Sequence, residues 1–126
     1  MIVIQLSPEV PRHDESDKGL LSKLADLVRP LIAEQPDRLT RSDGHVRATL
    51  DNFTQSMAEQ LARDAIALSA LSKRSFHIYV ELDERHNDKL IENWPQLAGS
   101  DGHMVTVRPS EAVTVQGFLR MFADAP

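Results

Sequence analysis

From Ser75 to Leu82 the apolar residues Phe76, Ile78, Val80 and Leu82 alternate with His77, Tyr79 and Glu81. That period of two buries one face of a strand and leaves the other polar or partly covered. Residues 2–6, Ile-Val-Ile-Gln-Leu, read as a shorter strand closed by Ser7-Pro8, since proline cannot continue the ladder. Residues 103–108 read as a third strand around Val105 and Val107. Elsewhere the period lengthens. Leu20, Leu24, Leu27, Val28 and Leu31 form one stripe that predicts a helix over about 17–34, with acidic residues crowding its start and Pro30 kinking or ending it early. Asp83 can cap a helix of about 84–94 that buries Leu90, Ile91 and Trp94 and stops at Pro95. Ser110 can cap a last helix carrying Val113, Val115, Phe118, Leu119 and Phe122.

The segment 38–73 supports two readings. Val46, Leu50, Phe53, Met57, Leu61, Leu68 and Leu71 hold one phase within roughly 80° of arc, which favours a single amphipathic helix over about 45–73. The competing reading is a β-hairpin at 38–50 turning at Asp43-Gly44, because Val46, Ala48 and Leu50 also alternate. The stretch Ser56-Met57-Ala58-Glu59 then has the capping-box form of a later helix start.

With the long helix, the order of elements is β-α-α-β-α-β-α. The fold class is α/β or α+β, built on a small three-stranded mixed sheet whose third strand runs parallel to the second through a right-handed crossover. A chain of 126 residues is the size of one domain, 1–126, and can bury a core without a metal or disulfide staple.

Composition narrows the chemistry. There is no cysteine, so thiolate catalysis and sulfur-ligated zinc are excluded. A net charge of −5 disfavours a phosphate-tracking surface and hence nucleic acid as a partner. No apolar run approaches a membrane span and the first residues lack the pattern of a secretory signal, so a soluble, cytoplasmic protein without a membrane partner is expected. No phosphate-binding glycine loop, dinucleotide fingerprint, HExxH, EF-hand loop or GxSxG elbow occurs. No cofactor is expected.

Ser-Asp-Gly-His occurs twice, at 42–45 and 100–103. Similarity is lost beyond each copy, so the two read as separate turns or caps at opposite edges of the sheet rather than as one duplicated site. In the three-stranded arrangement one edge collects Asp43, His45, Asp83, Glu84, His86, Arg108 and Ser110. Of these, His45, His86, Asp83 and Arg108 are the candidates for acid-base work, and Asp43, His45, Asp83 and His86 those for holding a metal. The run 83–89, which holds Asp83 and His86, equally describes a solvated helix start, and His77 on its strand face reads as a structural residue with a hydrogen-bonding partner.

A helix over 45–73 would be roughly 42 Å long and overhang a domain about 35 Å across. Either the helix at 17–34 would then cover the whole stripe or a second subunit would cover the remainder, and the second is favoured. A homodimer is expected, with Leu61, Ala65, Leu68 and Leu71 in the contact. Together these features favour a non-enzymatic, acidic protein-interaction or regulatory module with a protein partner. The alternative is a small enzyme or ligand- or metal-binding domain using the Asp, His and Arg residues at the C-terminal ends of the second and third strands.

Overall fold

The computed structural model describes residues 2–32, 35–42, 44–51, 53–82 and 102–109. Ile2, Ile4, Leu6 and Pro8 are buried while Val3, Gln5 and Ser7 are half-buried, so β1 (Ile2–Pro8) is a strand with two unlike faces. It lies at the centre of the sheet. On one side it pairs antiparallel with β3 (His45–Leu50), from Ile2 opposite Leu50 to Leu6 opposite Val46. On the other it pairs antiparallel with β4 (Phe76–Leu82), from Ile2 opposite Leu82 to Pro8 opposite Phe76. The edges are β2 (Leu39–Ser42) beside β3 and β5 (Gly102–Val107) beside β4, giving five antiparallel strands in the order β2-β3-β1-β4-β5.

Two helices complete the described fold, α1 (Glu15–Val28) between β1 and β2 and α2 (Gln55–Ser72) between β3 and β4. Each joins two strands that leave room for a third between them, which is the split β-α-β connectivity of ferredoxin-like folds, here carrying β5 as an additional edge strand. Buried strand residues share one face: Ile4, Val46, Ala48, Ile78, Val80, Val105 and their neighbours form one core with Leu20, Leu24, Ala25 and Val28 of α1 and Ala58, Leu61, Ala62 and Ala65 of α2. Both helices therefore cover that face. The three alanines and the buried Ser69 of α2 bring its backbone close to the sheet, with Leu61 as the large residue between them.

The class expected from sequence, α with β in one fold, is correct in its α+β form, but the element order and strand count are not. The segment 45–73 is not one helix. Val46, Ala48 and Leu50 point into the core from a strand paired on both sides, Phe53 is buried on the connection that follows, and the helix begins at Gln55. A spacing of four residues is both two strand steps and about one helical turn, so Val46 and Leu50 satisfy either period. Local chemistry decides. Thr54 in extended backbone accepts from the Met57 N–H at 3.2 Å and caps α2 there. The hairpin reading of 38–50 is the one the fold adopts.

The expected parallel pairing of the last two strands is likewise replaced by an antiparallel one, with Glu81 opposite Gly102 and Phe76 opposite Val107. The chain thus leaves and re-enters the sheet at one edge, and no crossover is needed. The helices expected at 84–94 and after Ser110 lie outside the described residues. Helix α1 ends earlier than 34: Pro30 cannot donate, and Arg29–Ile32 tightens into a 3₁₀ turn.

The described residues of the two Ser-Asp-Gly-His copies stand at opposite edges and in different roles. Ser42 pairs with His45, with Gly44 in the turn between them at the edge where β1 ends. Gly102 and His103 instead belong to β5, entering the sheet at the edge where β1 begins. Gly44 has φ +85°, where an L side chain is strained. Gly44→Ala should cost about 1 kcal/mol in a urea titration; an unchanged midpoint would show that the turn adapts.

Candidate functional site

At the edge where β1 and β5 end and β4 begins, four polar residues meet. Glu9 follows β1 and its N–H donates to the Ser75 carbonyl at 3.0 Å, fixing the chain beside the start of β4. Its carboxylate takes a forked contact from Arg108, with Nε 2.9 Å from Oε2 and 3.1 Å from Oε1 and Nη2 2.7 Å from Oε2. The Arg108 guanidinium holds the Glu9 carboxyl below its ordinary range against the opposing effect of burial, and the charge of His77 helps. His77 Nδ1 lies 2.9 Å from the Thr106 hydroxyl across the β4–β5 pair. His77 thus has the partner expected of a structural histidine.

Among the described residues this arrangement does not assemble a catalytic centre. A carboxylate locked to a guanidinium is a poor general base. The Thr106 hydroxyl and the His77 imidazole are within reach of each other, but among the described residues no third group orients the imidazole, as nucleophilic catalysis requires.

Of the residues singled out from sequence as catalytic or metal-binding candidates, His45 and Arg108 are described, and these two do not meet. Asp43, Asp83 and His86, with Glu84 and Ser110, lie outside the described residues. His45 begins β3 and Arg108 follows β5 at the same edge, but β1 and β4 run between those strands, a separation of three strand spacings or roughly 14 Å. Strand β4 ends at Leu82 opposite Ile2, at the other edge. Among the described residues no group of three His, Asp or Glu side chains could hold a metal ion. Leu61 and Ala65 are buried inside the chain's own core and Leu68 packs half-buried against it, whereas Leu71 is 84% exposed. With α2 starting at Gln55, the overhang that motivated a helix-mediated contact is gone.

Two features had no sequence signal. One is the Glu9–Arg108 pair, 99 residues apart. The other ties the start of α1 to the end of α2. Arg74 Nη2 lies 2.6 Å from Asp17 Oδ1, with both side chains largely buried, and Asp17 Oδ2 accepts from the backbone N–H groups of Arg12 and His13 at 2.7 and 2.8 Å. The Arg74 hydrogen bond lowers the Asp17 pKa to about 2, assisted by those two N–H groups and opposed by burial. Because the folded pKa lies below the unfolded value of 3.8, the stabilisation is complete above about pH 4 and is lost as pH falls from there toward 2. Urea titrations should therefore show Asp17→Asn less stable than the wild type at pH 6, with the gap closing toward pH 2. A gap independent of pH would mean that the charge on Asp17 is irrelevant.

The sheet face opposite the helices carries a different kind of surface. The register places Arg47, Gln5, Tyr79 and Met104 side by side across β3, β1, β4 and β5, with Thr40 beyond Arg47 on β2. Arg47 and Thr40 are exposed, Tyr79 is 37% and Met104 58% exposed, and the row spans roughly 19 Å across five strands. Gln5, at its centre, is half-buried. Among the described residues no helix is long and apolar enough to cross a membrane. No family model matches the chain, and neither a curated protein nor a solved structure matches it.

Proposed function

We propose that the protein is a non-enzymatic interaction module that receives a protein partner on the sheet face opposite its helices. The observation that carries this reading is the row Arg47-Gln5-Tyr79-Met104. Of the four large hydrophobic residues exposed among the described residues, Tyr79 and Met104 are direct cross-strand neighbours. Arginine, tyrosine and methionine are enriched in protein interfaces because each offers wide contact area with a polar or polarizable tip, and a pair of neighbours makes a better anchor than scattered residues. The sheet behind them is rigid, paired on both sides of β1, β3 and β4. The polar cluster at the sheet end, with Glu9 and His77 already engaged, gives no competing support to catalysis.

The test is to compare what co-purifies from the expressing cell with the wild type, with a Tyr79→Ser/Met104→Ser double variant, and with Leu71→Ser on the helix layer. Exposed substitutions change stability by about 0.5 kcal/mol or less, so all three should fold. The expected outcome is a stoichiometric partner that the double variant loses, by about tenfold or more in affinity, and that Leu71→Ser keeps. Equal retention by all three would defeat the proposal.

A further inference from the structure

On the helix layer, on the other side of the sheet from that row, a hollow of about 350 Å³ opens between α1 and the end of α2. Among the described residues its wall carries Arg12, Lys23 and Arg74 and no acidic residue. In a chain with a net charge of −5, three cations around one cavity are not a sample of the average surface. Arg74 is 8% exposed and held from behind by Asp17 at 2.6 Å and by the Ser16 hydroxyl at 3.2 Å, so its guanidinium is fixed in place. The Arg12 and Lys23 side chains form neither an ion pair nor a hydrogen bond, and both are exposed. The cavity therefore keeps two uncompensated positive charges beside a rigid third whose charge Asp17 balances.

Gly19 is the second, independent observation. It lies in the interior of α1, on the same face as Ser16 and Lys23, at helical φ. A glycine there costs a helix about 1 kcal/mol relative to alanine. Neither backbone nor packing asks for it, because a Cβ built at this position would meet nothing within 4 Å. Gly19 leaves its part of the hollow's lining without a side chain. Leu71, 84% exposed on the opposite wall, adds an apolar side to a cationic cavity.

We infer that this hollow binds a small soluble phosphomonoester, with Arg12 and Lys23 on the phosphate, Arg74 at its back, and an apolar substituent against Leu71 over Gly19. Charged hydrogen bonds from a guanidinium and an ammonium suit a dianionic group. A phosphorylated lipid headgroup shares this chemistry, but a hollow between two helices, walled by Arg12, Lys23 and Arg74, has the size of a small free molecule.

Amide chemical shifts of the full chain, followed at constant ionic strength with inorganic phosphate and with phenyl phosphate, test the inference. Saturable shifts confined to residues around 12, 16, 19, 23 and 74 are expected, with phenyl phosphate the tighter of the two. Arg12→Gln/Lys23→Gln should weaken binding by at least about tenfold. Gly19→Leu should abolish it while keeping the helix, and Arg41→Gln on β2 should leave it unchanged. Absence of saturable shifts, equal binding by the double variant, or binding that survives Gly19→Leu would overturn the inference. So would binding only to phosphatidylcholine vesicles containing phosphatidic acid, which would assign the cations to a lipid headgroup.

Discussion

Leu61→Ala is expected to lower the unfolding free energy by about 2–5 kcal/mol, a large share of the 5–15 kcal/mol typical of a folded domain, without changing the oligomeric state. Leu61 is fully buried in α2, flanked by Ala58, Ala62 and Ala65, which hold the helix against the sheet. With those small neighbours already in contact, the space left by a deleted isobutyl group has little to collapse into it. The sequence reading placed the same residue in a contact between subunits, and the two roles separate cleanly. A core residue shifts the urea midpoint equally at every protein concentration, whereas an interface residue makes the shift depend on concentration. Leu71→Ala, at 84% exposure, is the internal control and should change stability by about 0.5 kcal/mol or less.

Phe53→Ala should cost about 3–5 kcal/mol. Phe53 is among the largest fully buried side chains and stands outside any regular element, between the end of β3 at Leu50 and the Thr54 cap of α2. It anchors the corner where the chain leaves the sheet for the helix layer. Because the corner joins both layers, its loss should lower stability and also speed amide exchange at the start of α2 and the end of β3. Thermal and urea unfolding with hydrogen exchange on the same variant would measure both. A cost below about 1 kcal/mol would mean that the corner is held by the cap alone.

What the sequence shows depends on how each element is buried. β1 and β4 have one face in the core and one partly covered, so Ile2, Ile4, Leu6 and Phe76, Ile78, Val80 stand out against their polar neighbours. β2 has no such contrast. Leu39 is half-buried and Thr40, Arg41 and Ser42 are exposed, as befits a short polar edge strand, and nothing in those four residues distinguishes it from a loop. In β3 the contrast exists, but the four-residue spacing of Val46 and Leu50 also fits a helix. The residues that decide are Thr54, which caps α2, and the turn at Gly44.

Site residues follow the same logic. His45 and Arg108 do reach one edge, yet the strand order that separates them comes from pairing between segments far apart in the chain, which local periodicity does not encode. The Asp17–Arg74 and Glu9–Arg108 pairs are invisible for that reason, since each side chain taken alone is an ordinary surface charge. Tyr79 was legible as part of a polar strand face, but its neighbour Met104 was not, because the β4–β5 register that sets them side by side joins segments far apart in the chain.

The sheet face opposite the helices is the centre of the functional reading, and photocross-linking reads it most directly because it reports contact rather than affinity. Benzoylphenylalanine placed at Tyr79, and separately at Leu71 on the helix layer, should be irradiated in the expressing cell. The prediction is one discrete protein adduct from position 79 that is absent from position 71. No adduct at 79, or the same adducts from both positions, would contradict it.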